Sequence, residues 1–133
     1  MSITTFYSYK GGMGRTIALA NVAVLLAQRG HRVLVVDWDL EAPGIEKYFG
    51  DLRIVPEGLG LLPMLSEVSL GRSPDYRKYT WQVSALDGNK LKFSLLHAGR
   101  ESDPDYYQSL ERFEWAKFFK TRSGDYLEAL RAR

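Results

Sequence analysis

Four patterns follow one another along the first forty residues. Ile3–Tyr9 (ITTFYSY) is dense in β-branched and aromatic side chains and reads as a strand. Lys10-Gly11-Gly12-Met13-Gly14 puts three glycines into four positions, which suits neither helix nor strand. Arg15–Arg29 is helix-compatible, with Ile17, Ala20, Val24 and Ala27 along one side and Leu19, Ala23 and Leu26 along another. A helix apolar over so much of its surface is expected to be buried on a sheet, and Gly30 is placed to end it. Arg32–Asp37 (RVLVVD) is a continuous apolar run, the kind buried on both faces of a parallel sheet. Strand, glycine loop, helix and strand make a βαβ unit over residues 3–39, with a right-handed crossover expected.

Patterning weakens afterwards. Asp51–Asp87 is mixed: Gly58–Leu65 suggests a loop entering a short helix, Ser73-Pro74-Asp75 a turn, and Tyr79–Leu86 a strand. Asp87-Gly88-Asn89 is a hairpin-type turn before a further strand, Lys90–His97. Asp103 as N-cap and Pro104 at the first helical position predict a helix over Asp105–Lys120. That segment carries six aromatics between Tyr106 and Phe119, more than one helix face holds, and the expectation is packing on the sheet plus a second buried surface. Ser123-Gly124-Asp125 restarts a helix from Tyr126.

Composition narrows the chemistry. The 133 residues fit one ordinary globular unit and hold no Cys and two His, which excludes disulfide scaffolds, iron–sulfur ligation, Cys-based zinc sites and multi-His metal sites within them. His97 reads as a strand-end residue. Ile17–Ala27 is far shorter than the roughly 18–20 apolar residues of a membrane span, and no secretory signal precedes the glycines, so a cytoplasmic location is expected. The net charge of +2, from 18 basic and 16 acidic residues, gives no nucleic-acid signal. The mixed charges of Glu111–Arg133 read as a solvated helix face.

A glycine loop between strand and helix is a phosphate site for physical reasons. The first amides of the helix lack internal partners, its dipole is positive there, and glycines let the main chain approach an anion. Lys10, Arg15 and Thr16 accompany the loop, a hydroxyl at Thr16 suits Mg²⁺ beside phosphates, and Asp37 and Asp39 follow at the carboxyl end of the next strand. The two aspartates face one site only if the backbone turns at Trp38. The loop is not a dinucleotide fingerprint, since Gly-Gly-x-Gly replaces G-x-G-x-x-G. It also departs from G-x-x-x-x-G-K-[ST] at Tyr9 and Arg15.

YKGGMGRT followed by VLVVDWDLEAPG resembles the deviant Walker A and A′ motifs of the ParA/MinD ATPases, the CobQ/CobB/MinD/ParA nucleotide-binding family, in its KGGxGRT variant. The match is dense over residues 3–50 and general from 51 to 133. The resemblance implies an α/β P-loop NTPase: a three-layer αβα arrangement around a mostly parallel sheet. It implies ATP and Mg²⁺ as ligands. Lys10 is then the signature lysine that reaches a partner's phosphates in a nucleotide-sandwich homodimer. Gly11, Gly12, Met13 and Gly14 supply loop amides, Arg15 takes the usual P-loop lysine position, and the Ile17 amide lies near the α-phosphate. Thr16 ligates Mg²⁺ and Asp37 supports the metal shell. Asp39 orients the attacking water, so Lys10 and Asp39 are the catalytic candidates, and Leu40–Gly44 falls where the family has its first switch loop. No apolar strand ending in Asp follows the Asp105–Lys120 segment, so the Walker B region is missing and residues 1–133 are expected to be the N-terminal part of such a domain in a larger regulatory protein, with a fused or partner effector domain.

Arg15 keeps the cation of the P-loop lysine but is longer, planar and forked. About 1.4 kcal/mol of misplaced charge stabilisation costs a factor of ten in rate. Two functions therefore stand: a dimerising ATPase switch, and a nucleotide-sensing or scaffold module with weak or no turnover. A tyrosine-kinase-like ATPase fits less well because the eight Tyr are dispersed. Relatives that use metal or substrate cysteines fit less well because Cys is absent.

Overall fold

Alternation in two neighbouring segments builds the centre of the sheet. In β3 (Trp81–Ser84) Trp81 and Val83 are buried and Gln82 is exposed, and in β4 (Lys92–Leu96) Phe93 and Leu95 are buried on the same face. The computed structural model describes residues 2–7, 9, 14–87, 90–99, 103–120 and 125–126. Its other two strands are β1 (Leu34–Val36) and β2 (Arg53–Val55), and the sheet order is β1-β4-β3-β2. β1 runs parallel to β4, with Val35 opposite Leu95, while β3 is antiparallel to both β4 and β2. The α/β class is thus present in a mixed sheet. Its one parallel pair joins β1 to β4, and the β2–β3 and β3–β4 pairings are antiparallel, in place of a mostly parallel array. The expected hairpin turn at Gly88-Asn89 lies outside the described residues.

Register aligns apolar rows across the strands. Val35, Leu95 and Trp81 form one row, and Phe93, Val83 and Ile54 the next. Helix α1 (Arg15–Gln28) lies over this face through Ala20, Ala23 and Ala27, whose small side chains allow close approach, and the 3₁₀ turn Ile45–Phe49 completes the layer with Phe49 edge-on to Phe93. The C-terminus of α1 ends as its sequence predicts. Gly30 has φ +82°, its N–H bonds the Ala27 carbonyl at 3.0 Å, and the His31 N–H bonds Leu26 at 3.1 Å, the paired bonds of a Schellman motif.

A second core gathers at the carboxyl end of β4. Leu61, Met64, Leu65 and Val68 of α2 (Leu61–Ser69) meet Leu96, Ala98, Leu40 and Phe118 there. Helix α2 is fastened at its start: Leu61 N–H bonds the His97 carbonyl at 2.8 Å and Gly60 N–H the Tyr79 carbonyl at 3.0 Å. Gly60 has φ +90°, and a Cβ there would come within 2.6 Å of the His97 ring. The segment read as one helix over Asp105–Lys120 is two, α3 (Tyr106–Arg112) and α4 (Trp115–Lys120), broken where Phe113 turns extended at ψ 119°. One straight helix has no single apolar face for six aromatics. The break lets Phe113, Trp115 and Phe118 reach the same cluster, while Phe119 stays exposed. Asp103 is not the N-cap expected of it: its carboxylate accepts from Asp105 N–H at 3.0 Å in the turn before the helix, whose N-cap is Asp105 and whose first residue is Tyr106.

Three expectations about the first unit are corrected. Residues 2–7 form no strand, and Ile3 and Tyr7 are exposed: a β-branched run becomes a strand only against another strand's ladder, and no described strand pairs with this one. Helix α1 is covered on one face only, with Ile17 and Leu25 each 51% exposed. β1 is buried at Val35 and open at Leu34 and Val36, since α1 covers the face that carries Val35 and the other face is less covered.

The apolar rows make a stability prediction. Leu95→Ala removes a fully buried side chain from a central strand and is expected to cost about 2–5 kcal/mol. Leu86→Ala, at an exposed position beside the hairpin, is expected to stay within about 0.5 kcal/mol. Urea midpoints of the two variants check both values.

Candidate phosphate-binding site

The N-terminus of α1 is built to meet something outside itself. Gly14 is its N-cap at φ 72°, ψ 12°, a left-handed conformation suited to glycine, and its carbonyl accepts the first helical bond from Ala18 N–H at 2.9 Å. No side chain of that N-cap residue satisfies the first-turn amides, and no acidic residue sits in the turn. The positive end of the helix dipole is therefore left to other groups. Thr16 is half-buried and Ile17 exposed in this turn. Lys10, Gly11, Gly12 and Met13 lie outside the described residues.

The carboxyl end of β1 supplies the acids. Asp37 N–H extends the parallel ladder to the Leu96 carbonyl at 2.9 Å. The chain then turns at Trp38: Leu40 N–H bonds the Trp38 carbonyl at 3.0 Å, and Asp39 N–H bonds Asp37 Oδ1 at 3.0 Å. The Asp37 side chain is buried, and burial pushes its carboxyl above the usual value of 3.8 despite N–H groups of Asp39, Gly44 and Ile45 that favour the carboxylate. Asp37 thus organises the loop that leads into the 3₁₀ turn Ile45–Phe49.

The two ends meet through charge. Arg15 Nη2 and Asp39 Oδ2 are 3.1 Å apart, joining the first turn of α1 to the loop after β1 across 24 residues. Asp39 Oδ1 also accepts from Ala42 N–H at 3.3 Å. Both partners of the ion pair are more than a third exposed, so it is worth at most about 1 kcal/mol and can be exchanged. The arrangement offers a cation at a helix N-terminus, a hydroxyl at Thr16 and two carboxylates at a strand end. Among the described residues no cluster of three or more His, Asp or Glu could hold a metal ion by itself. The donors present fit Mg²⁺, which takes one or two protein oxygens and completes its shell with water and phosphate. A buried carboxylate whose ionisation is opposed by burial also gains from a nearby divalent cation.

Sequence reasoning missed one contact of this loop. Tyr106 in α3 is buried, and its hydroxyl donates to the Leu40 carbonyl at 2.9 Å. Burial, with Asp37, Tyr107 and Asp39 nearby, pushes its phenol up to about 12. The one signal for it was Gly99, where any Cβ would fall inside the Tyr106 ring. His97 is the buried strand-end residue expected, its ring 3.9 Å from that of Trp81.

The model of the CobQ/CobB/MinD/ParA nucleotide binding domain matches residues 4–114. The chain is 33% identical over 70 residues to the cytosolic Fe-S cluster assembly factor CFD1 of Yarrowia lipolytica, which covers 51% of this chain and 24% of that protein. It is 30% identical over 94 residues to a putative septum site-determining protein MinD of Emiliania huxleyi, covering 70% of this chain and 35% of that one. An uncharacterized ATP-binding protein of Methanocaldococcus jannaschii is 45% identical over 40 residues, 30% of this chain and 15% of its own length. The matched regions thus span about a third or less of these relatives. No solved structure matches the chain at a significant level. Among the described residues no helix is long and apolar enough to cross a membrane.

The buried acid gives a pH prediction. A carboxyl raised in the folded state binds its proton more tightly there than in the unfolded chain. Its contribution to stability is therefore greatest below about 3.8 and is lost as pH rises through the folded value. Without ligand, wild type is expected to lose stability relative to Asp37→Asn as pH rises from 3.5 to 7, read as the difference in urea midpoint. A difference constant with pH would contradict the burial of an ionisable group at this position.

Proposed function

Because the chain belongs to the CobQ/CobB/MinD/ParA nucleotide-binding domain family, we propose that Lys10–Ile17 bind ATP with Mg²⁺ and that the bound nucleotide works as a dimerisation switch. The observation that carries this reading is the Arg15–Asp39 pair, which joins the open N-terminus of α1 to the acids after β1. A triphosphate at that N-terminus takes the amides of the first turn and the guanidinium of Arg15. Thr16 and Asp37 would hold Mg²⁺, whose chemistry when bound is to neutralise charge on the phosphates. Asp39, released from Arg15, orients water toward the terminal phosphate, and Lys10 reaches the phosphates bound by a second copy. Phosphoryl transfer depends mainly on such positioning and charge neutralisation. Residues 1–133 are on this reading the phosphate-binding part of a larger domain, with the site formed by the N-terminus of α1 and the end of β1, and the output belongs to an effector region.

The relatives support ATP as the nucleotide, since one carries ATP binding in its name. The iron–sulfur role in the name of another is not carried over to these 133 residues, which contain no Cys. A second reading, nucleotide sensing without useful turnover, is favoured by one observation: the residue in the P-loop lysine position is an arginine whose partner is the proposed water-orienting acid. Faster single-turnover hydrolysis by Arg15→Lys than by wild type would support it.

Binding of a fluorescent ATP analogue tests the main reading. Wild type is expected to need Mg²⁺ for full affinity, and Lys10→Ala and Thr16→Ala are each expected to weaken binding about tenfold or more. Unchanged binding in both would overturn it. Asp39→Ala is expected to abolish turnover and, by freeing Arg15, to leave affinity equal or up to about fivefold tighter, the worth of an exposed ion pair. Sedimentation with and without ATP checks the dimer.

A further inference from the structure

Beyond the ladder bond of Asp37 to Leu96, two side chains reach the loop that carries Asp37 and Asp39 from distant helices: Arg15 through the exposed pair with Asp39, and Tyr106 through a buried bond. Inside the loop the bonds are short-range: Asp39 N–H to Asp37, Ala42 N–H to Asp39, Leu40 N–H to Trp38. They fix the loop's own shape and do not fix where it sits. The Leu40 carbonyl lies between the two acids and the rest of the loop, and Tyr106 O–H reaches it from a helix 66 residues away, in a buried setting. A buried carbonyl bonded by a buried phenol is costly to leave unmade, so the bond resists exchange with water.

Tyr106 is itself held. Its ring occupies the place a Cβ of Gly99 would take, just past the end of β4, and packs edge-on to Tyr107 at 5.2 Å. β4 also receives Asp37 N–H at Leu96. One strand end therefore anchors both sides: directly through Leu96 to Asp37, and through Gly99 and Tyr106 to Leu40. The phenol stays protonated, and so stays a donor, well beyond neutral pH.

We infer that Tyr106 is a positioning residue for the nucleotide site, its hydroxyl setting the height of the Asp37–Ala42 loop over the N-terminus of α1 so that Asp37 and Asp39 face the phosphate end together. The inference rests on the proposed nucleotide reading for its purpose, and on the Tyr106–Leu40 bond for its mechanism. Tyr106 does not touch nucleotide and acts through Leu40.

Two measurements on the full chain test it. The first is amide hydrogen exchange by NMR, which needs no ligand. Tyr106→Phe keeps the ring over Gly99 and deletes only the donor, and is expected to lower protection of the Asp39, Ala42, Gly44 and Ile45 amides about tenfold while the amides of β3 and β4 keep theirs. Gly99→Ala, which must displace the ring, is expected to do the same. Tyr107→Phe, at an exposed neighbour, is expected to leave the loop unchanged. The second is affinity for the fluorescent ATP analogue with Mg²⁺ and with EDTA. Tyr106→Phe is expected to lose most of the Mg²⁺-dependent gain and to keep the metal-free affinity within about twofold, a split that simple loss of stability does not produce. Unchanged loop protection in Tyr106→Phe overturns the positioning mechanism. Equal loss of affinity with and without Mg²⁺ overturns it as well. Failure of wild type to bind the analogue removes the nucleotide reading, and with it the purpose assigned to Tyr106, while the exchange result still decides whether the hydroxyl holds the loop.

Discussion

The arrangement of the candidate site depends on one buried carboxylate. Asp37 stands where β1 ends, its own N–H tied to Leu96 and its side chain drawing in N–H groups from Asp39, Gly44 and Ile45. A carboxylate in that position draws eight residues of chain into a tight loop, because three amides converge on it. Several other features are consequences. Asp39 is presented on the side of the loop facing α1, where it meets Arg15. Leu40 is turned into the second core, and Gly44 takes φ +151° to aim the chain into the 3₁₀ turn that covers the sheet with Phe49. The cost is desolvation of a charge, visible in the raised Asp37 carboxyl. A fold that needed only a turn here would use asparagine at less cost. On the proposed reading, the ionisable group is retained there for the metal shell.

How much of this was legible depends on the range of the interaction involved. Helix α1, its Schellman end at Gly30, strands β1, β3 and β4 and the turn at Trp38 follow from local rules, and the structure places them within a few residues of where periodicity and turn chemistry put them. The break at Phe113 did not follow. Aromatic content over Asp105–Lys120 indicated that one face was not enough, but where the helix yields is decided by Phe118 and its neighbours packing on α2, a tertiary matter. β2 was missed for a similar reason: Arg53–Val55 is three residues long and is a strand only because Ile54 meets Val83. The Tyr106–Leu40 bond spans 66 residues and left only the glycine at position 99 as a trace. The Ile3–Tyr9 run shows the opposite failure. Its composition is that of a strand, yet composition supplies half of a ladder, and residues 2–7 have no described partner for the other half.

On the proposed reading, the charges at the site explain why a weak ion pair sits at its centre. Arg15 next to an open helix N-terminus concentrates positive potential where the phosphates are expected, and in the absence of ligand that potential attracts whatever anion the chain can offer. Asp39 is the anion within reach, and the pair is exposed enough to be worth little. A triphosphate carries more charge than a carboxylate and binds the first-turn amides as well, so it displaces Asp39 at small cost. The displaced carboxylate remains tethered by its N–H to Asp37 and by Ala42 N–H, and the loop by Tyr106, so it moves only locally. It is then left beside the phosphates as a free acceptor for water. A stronger pair would oppose nucleotide, and no pair would leave Asp39 with no reason to lie near α1 before nucleotide arrives. On that reading, the modest strength of the Arg15–Asp39 contact lets one aspartate lie against α1 and still yield its place to phosphate.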